Sequence, residues 1–123
     1  MITLGPVLDK DKLTDIYKEK GFPINENSGC VLAKCGEEII GYSLYDLDES
    51  KMVVFKISPE NDLALADGIL RSTLHIAAER SIMDAFCQGE EIEKLCEKLM
   101  FFKCKQSKSL EIEKLFQSCC GCN

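Results

Sequence analysis

EIIGYSLYDLDESKMVVFKISPENDLALADGILRSTL, residues 38–74, holds the reading that decides the fold. From Ile39 to Leu47 the residues alternate. Ile40, Tyr42 and Leu44 point one way and Ile39, Ser43 and Tyr45 the other, the period of a strand. Asp48-Glu49-Ser50 turns the chain. Met52 to Ile57 is rich in β-branched and aromatic residues and apolar on both faces, which suits a central strand covered on both sides. A bend at Pro59-Glu60 and a loop of small residues follow. From about Leu65 to Arg80 the stripe Ala66, Ile69, Leu70, Thr73, Leu74, Ala77 marks an amphipathic helix. Asp67, Arg71, His75 and Glu79 form its solvated line at spacing four, with ion pairs along it. Strand, tight turn and helix in this order build a backbone cradle for phosphates. The first amides of a helix have no intrahelical acceptor and lie at the positive end of its dipole. The small residues here are Ala64 and Ala66, with no glycine inside the turn and no basic residue beside it.

Outward from this core, Ile2 to Leu8 reads as a first strand. Asp9 or Asp11 caps a short helix carrying Leu13, Ile16 and Tyr17, and Gly21 ends it. GFPINENSG is a loop, and Cys30 to Lys34 is a short strand. On the other side, Ile82 to Cys87 is a strand. A strand, helix, strand run of this length implies a parallel pair with a right-handed crossover. Met52 to Ile57 is therefore expected to pair antiparallel with Ile39 to Leu47, and to pair with or splay from Ile82 to Cys87 in parallel. Glu90 to Phe102 is amphipathic, with Ile92, Leu95, Cys96, Leu99 and Phe102 on one face and a Glu90–Lys94 pair on the other. KSLEIEKLFQ near the end fits either a strand through Leu110 and Ile112 or a helical turn through Ile112, Leu115 and Phe116.

The 123 residues are expected to form one domain spanning 1–123. Apolar residues make up 46%, enough for a core. The formal charge of −6 argues against a nucleic-acid or acidic-membrane surface. No apolar run approaches the ~18 residues that span a bilayer. MITLGPVLDKDK lacks the apolar centre of a signal peptide, so the expected compartment is the cytoplasm. There the eight cysteines are thiols or metal ligands by default. Cys30, Cys35, Cys87 and Cys96 sit in apolar patterns, where cysteine behaves as a small hydrophobe. Cys119, Cys120 and Cys122 form a cysteine-rich tail. Its CC and C-G-C spacings are too tight for the usual zinc knuckle, so no metal is expected. A thiol-sensing tail and a partly buried strand end are the other readings.

The order of elements and four short motifs resemble the GNAT superfamily of acetyl-CoA-dependent N-acetyltransferases, over roughly Cys30 to Phe102. Ile57-Ser58-Pro59-Glu60 matches the family's apolar-x-Pro-Glu. Asn61 to Ala66 stands where the family carries Q/R-x-x-G-x-G/A, with Asn61 at the Q/R position, Ala64 at the first Gly and Ala66 as an allowed variant. Leu95-Cys96-Glu97-Lys98-Leu99-Met100-Phe101 parallels L-Y-x-K-x-G-F, with Cys96 for the tyrosine and Met100 for the glycine. Glu38-Ile39-Ile40-Gly41-Tyr42 resembles the family's hairpin. The resemblance implies an α+β domain with a GNAT-like mixed, mostly antiparallel sheet flanked by helices. The helix from Ala66 to Arg80 is then expected on one face and that from Glu90 to Phe102 on the other.

The resemblance also implies a site. Acetyl-CoA would lie along the backbone near Ile57 and on the amides of Asn61, Asp62, Leu63, Ala64, Leu65 and Ala66. The acetyl group would pass to the amine of a small molecule or protein. Cys96 stands where the family's tyrosine donates a proton to the departing thiolate. Its place in the apolar stripe also fits a packed core cysteine. Asp62 and Asp67 oppose a pyrophosphate by about 1 kcal/mol each in water, or simply stabilise the helix start. Only Gly21 to Gly29 fills the space where the family places a second acceptor-binding helix. The acceptor site is open, built by a partner chain as in a homodimer, or absent. With these departures, the rival expectation is a non-catalytic GNAT-like domain that binds or regulates.

Overall fold

The computed structural model describes residues 1–113 and 115. Seven strands, β1 (Ile2–Pro6), β2 (Ser28–Cys35), β3 (Glu38–Leu47), β4 (Met52–Ser58), β5 (Ala85–Cys87), β6 (Phe102–Cys104) and β7 (Ser109–Leu110), form one sheet in the order β1-β2-β3-β4-β5-β7-β6. The helices are α1 (Lys10–Lys20), α2 (Leu63–Glu79) and α3 (Glu90–Lys98). Among the described residues only β4 and β5 pair in parallel, as expected of the crossover through α2, and β3–β4 is antiparallel. Ile82 to Asp84 are outside β5, whose short pairing aligns Met52, Val54 and Phe86 with Ala85, Cys87 and Val53.

Local chemistry fixes the helix ends. Asp9 caps α1, its Oδ1 accepting from the amides of Asp11 at 2.9 Å and Lys12 at 3.4 Å. Gly21 closes the helix at φ 78°. The six stripe residues of α2 are all buried. On its outer line Arg71 holds Asp67 at 2.7 Å and His75 lies 3.8 Å from Glu79. α3 is shorter than its pattern. Met100 turns left-handed at φ 60°, the Met100 amide bonds Glu97 O at 3.1 Å and the Phe101 amide bonds Cys96 O at 3.1 Å. Those two bonds and the left-handed residue are a Schellman ending, so Phe102 leaves the helix for β6. The resembling family's glycine position is thus the residue that must go left-handed. Met100 is 78% exposed, so its side chain contributes little packing. Met100→Gly should raise stability by about 0.5–1 kcal/mol, read by urea unfolding.

α1 covers one face of the sheet, burying Tyr17 against Cys30, Leu32 and Leu44. α2 and α3 both belong to the other core cluster, with Val31, Tyr45, Met52, Val54 and Ile57. The expectation that α2 and α3 lie on opposite faces is therefore corrected, and handedness explains it. β5 and β6 are parallel, because each is antiparallel to β7. The crossovers β4-α2-β5 and β5-α3-β6 travel in the same direction along the sheet, so right-handed connections put both helices on the same side. Cys35 is exposed at the end of β2, unlike Cys30, Cys87 and Cys96, which are buried. The tail cysteines Cys119, Cys120 and Cys122 lie outside the described residues.

A polar contact pins α2 to the sheet. Thr73 Oγ1 donates to Ile69 O at 2.7 Å, which spends its proton, so Ser43 Oγ is the donor in the buried 2.7 Å contact between the two hydroxyls. Thr73→Val leaves the Ser43 hydroxyl without that acceptor. The expected loss is about 1–3 kcal/mol by chemical unfolding, and Ser43→Ala in the same background should recover part of it.

Candidate functional site

The site begins with an irregularity in β4. Leu44 pairs with Lys56 but Tyr45 pairs with Val54, so Phe55 is an extra residue bulged out of β4. A bulge bends its strand and sharpens its twist. The last β4–β5 pair is Val54 with Cys87, and the last bond across is from the Gln88 amide to Val54 O at 3.0 Å. Beyond the bulge β4 leaves β5, and the strands part. The bulge also breaks the alternation of the strand. Val54 and Ile57 face α2, while Phe55 packs toward α1.

A cleft of about 600 Å³ opens where the strands part. Its apolar wall includes Phe22, Val53, Phe55 and Ile92, and Asp46, Lys56, Glu90 and Glu91 bring charge to it. Phe55 is braced from behind. The Phe22 ring lies 5.3 Å from it, and the Tyr17 ring meets it edge-on at 6.2 Å. Phe22 belongs to the short connection after Gly21, so the segment that stands in place of a second helix forms a wall of the cleft. At one side Lys56 Nζ reaches Glu91 at 3.4 Å. The contact with Glu91 pushes Glu60 above the usual carboxylate range, and the contact with Glu60, together with the Lys56 cation, holds Glu91 below it.

The residues named from sequence separate into groups. Ile57 is buried in β4 opposite Ser43. Asn61 and Asp62 lie in the connection, but Leu63, Ala64, Leu65 and Ala66 are already the first turn of α2. The helix starts earlier than its apolar stripe because Asp62 caps it: Asp62 Oδ1 accepts from the Leu65 amide at 3.1 Å, and Asp62 O accepts from the Ala66 amide at 2.9 Å. Ala64 is exposed and Ala66 buried. Asp67 turns along the helix to Arg71 rather than toward the first turn. Gly41 brings this region close to the sheet, since a Cβ there would meet Ser58 O and the Ile69 side chain, each at 2.7 Å. Cys96 is fully buried in the core cluster that also holds Cys87, and it is absent from the cleft lining. Sequence reasoning did not find Phe22, Phe55, Lys56 or Glu91. The one available signal was an aromatic directly after the helix-ending Gly21.

No protein-family model matches this chain, and no curated protein matches its sequence. Solved structures do match. A ribosomal-protein-alanine N-acetyltransferase from Brucella melitensis superposes with TM-score 0.59 at 13% identity, over 80% of this chain and 90% of that one. The chain has the GNAT acetyltransferase fold. A GNAT-family acetyltransferase from Elizabethkingia anophelis, solved with acetyl-CoA bound, gives TM-score 0.54 at 17% identity over 81% of this chain and 74% of that one. A transcriptional regulator from Bacillus halodurans gives 0.57 at 13% identity, over 84% and 94%. The GNAT fold thus appears here with its strands parted at the β4 bulge and the start of α2 beside the end of β4.

The GNAT fold implies acetyl-CoA, and the residues can be tested against it. The cleft offers an apolar floor and an unpaired edge of β4 to a slender, amide-containing arm. At the start of α2, Ala64 adds only a methyl group, and the amides of Leu63 and Ala64 sit where a helix offers no internal acceptor. Asp62 holds the Leu65 amide itself, through an exposed carboxylate that can rotate away. The residues fit the group, in competition with one carboxylate of the chain.

Proposed function

We propose that this GNAT-fold domain binds acetyl-CoA where β4 and β5 part and passes the acetyl group to the amine of a small molecule or protein. The observation that carries this reading is the Phe55 bulge, beyond which β4 leaves β5 and the cleft opens, although neither Ile57 nor any of Asn61 to Ala66 lines that cleft. Bound acetyl-CoA would supply an activated thioester. The chain's own residues then have modest tasks. The edge of β4 near Ile57 and the first-turn amides of α2 orient the cofactor, and Phe22 and Phe55 exclude water from one wall. Asp46, Glu90 and Glu91 draw a cationic amine into the cleft. Water at the open mouth would carry the proton from the amine to the thiol, and Cys96, buried and absent from the cleft lining, would take no part. Among the described residues, no helix is long and apolar enough to cross a membrane, and no three His, Cys, Asp or Glu side chains are grouped to hold a metal.

A second reading has its own observation. Asp62 already fills part of the anion-binding helix start, as a domain that had given up the cofactor and acts by binding would do. Two measurements separate the readings. Binding of acetyl-CoA, followed by release of free thiol over a panel of amines, supports transfer. Absence of binding to acetyl-CoA and to coenzyme A, in the wild type and in Asp62→Asn, leaves only the second reading.

A further inference from the structure

The face of the sheet under α1 breaks its own pattern at Asp46. Along β3, Tyr42 and Leu44 belong to the α1 cluster. The next position of that alternation is Asp46, a carboxylate where an apolar side chain would continue the face. Asp46 is half-buried and lies between Ser28 of β2 and Val53 of β4. Among the described residues it makes no ion pair, and its one hydrogen bond comes from Ser28 Oγ at a long 3.4 Å. A charge drawn partly out of water with no cation beside it costs stability. Local rules are broken in this way at functional sites. We propose that Asp46, with the corner formed by Phe22 and Phe55, seats the acceptor on the α1 side of the cleft, and that this acceptor is a small primary amine carried on a flat apolar body. The inference rests on the acetyl-transfer reading and names its acceptor class.

The other charges of the lining are already matched. Lys56 lies 3.4 Å from Glu91, and Glu90 lies 3.3 Å from Lys94. Asp46 is the carboxylate left over. An ammonium group supplies its missing counter-charge and three N–H donors. A neutral molecule leaves Asp46 unpaired, and an anion meets three carboxylates against one lysine in the lining. The apolar body has its own surface. The Phe22 and Phe55 rings are 5.3 Å apart and tilted by 37°, an aromatic corner whose faces also attract a cation. At about 600 Å³ the cleft has the size of a small-molecule site, which favours a compact amine over a protein chain. The short connection after α1 sets this geometry. The Asn27 amide donates to Asn25 Oδ1 at 2.7 Å, and the Asn25 amide donates to Ser28 Oγ at 2.9 Å. Those bonds hold the hydroxyl that faces Asp46, so Ser28 is a positioning residue, and Phe22 comes from the same connection.

The test is calorimetric titration of the full chain, alone and with millimolar coenzyme A, against phenethylamine, phenethyl alcohol, phenylacetate and methylamine. Phenethylamine should bind about tenfold or more tightly than the neutral alcohol, which lacks the charge, and than methylamine, which lacks the ring. Phenylacetate should not bind. Asp46→Asn keeps an acceptor for Ser28 and removes the charge. It should weaken phenethylamine about tenfold or more and leave phenethyl alcohol unchanged. Equal affinity for phenethylamine and phenethyl alcohol overturns the proposal, and so does an Asp46→Asn chain that binds the amine as tightly as the wild type. If Asp46→Asn does not fold, the wild-type ligand series decides alone. An acetyl-CoA shift without phenethylamine binding, in the presence or absence of coenzyme A, overturns this inference and leaves acetyl transfer standing. Amine binding that depends on Asp46, with neither acetyl-CoA nor coenzyme A bound, keeps the cleft as an amine site and removes the transfer reading.

Discussion

Acetyl-CoA at a hundredfold excess over its dissociation constant is expected to raise the melting temperature of this domain by roughly 5–10 °C. A ligand that binds only the folded chain stabilises it by RT ln(1 + [L]/Kd), about 2.7 kcal/mol at that excess. For a domain of this size a kilocalorie moves the midpoint by a few degrees. Free coenzyme A should give a shift of similar size, because in the proposed mode the cleft and the helix start would hold the part the two share. Ala64→Asp should abolish both shifts, since it puts bulk and negative charge on the exposed side of the first turn.

Asp62 makes the prediction sharper, because its two roles pull in opposite directions. It caps α2 through the Leu65 amide, and it opposes an incoming pyrophosphate. Asp62→Asn keeps a good cap and removes the charge. Its apo stability should change little, and its affinity should rise by up to about 1 kcal/mol, the cost of a like charge about 4 Å away in water. Asp62→Ala should lose about 1 kcal/mol of stability in the apo chain and still gain affinity. Asp67→Asn should leave affinity nearly unchanged, because Asp67 is already held by Arg71 at 2.7 Å. Equal effects of the Asp62 and Asp67 changes on binding would sink this account of the helix start.

The α2 stripe, the caps at Asp9 and Gly21 and the β3–β4 hairpin were legible because each depends on residues close in sequence. The site was less so. The Phe55 bulge exists only in the register between two strands. MVVFKIS reads as an ordinary buried strand until Tyr45 is seen opposite Val54. Ile40 shows the same effect. It is the extra residue where Ala33 pairs with Gly41 but Lys34 pairs with Ile39, and it packs with the α2 cluster while Tyr42 packs with that of α1. Its expected alternation with Tyr42 is broken for that reason. The start of α2 was placed too late because the apolar stripe says where a helix packs, and the cap says where it begins. The shared face of α2 and α3 follows from topology, which no local pattern carries.

Tyr17→Ala should be the most damaging of these substitutions, costing about 3–5 kcal/mol, the range for large aromatic truncations in a core. Tyr17 is fully buried, and its ring braces Phe55. Its hydroxyl stands 2.7 Å from Gly29 O and 3.0 Å from Tyr45 O, one proton shared between two neighbouring strands. Burial pushes the phenol well above its usual pKa, so it stays a neutral donor across the working range. Tyr17→Phe separates the two contributions. It removes the hydroxyl but keeps the ring, and should cost about 1–2 kcal/mol. The functional consequence follows the ring. With Phe in place Phe55 keeps its edge-on neighbour, so the acetyl-CoA shift should persist at nearly its wild-type size. With Ala the Phe55 side chain gains room to retreat from the cleft wall, and the shift should shrink by more than the lower starting stability explains. The check is a pair of acetyl-CoA titrations by calorimetry at a temperature where both variants remain folded. If Tyr17→Ala binds as tightly as Tyr17→Phe there, the aromatic brace behind Phe55 serves stability alone, and the cleft wall is held by the β4 bulge without it.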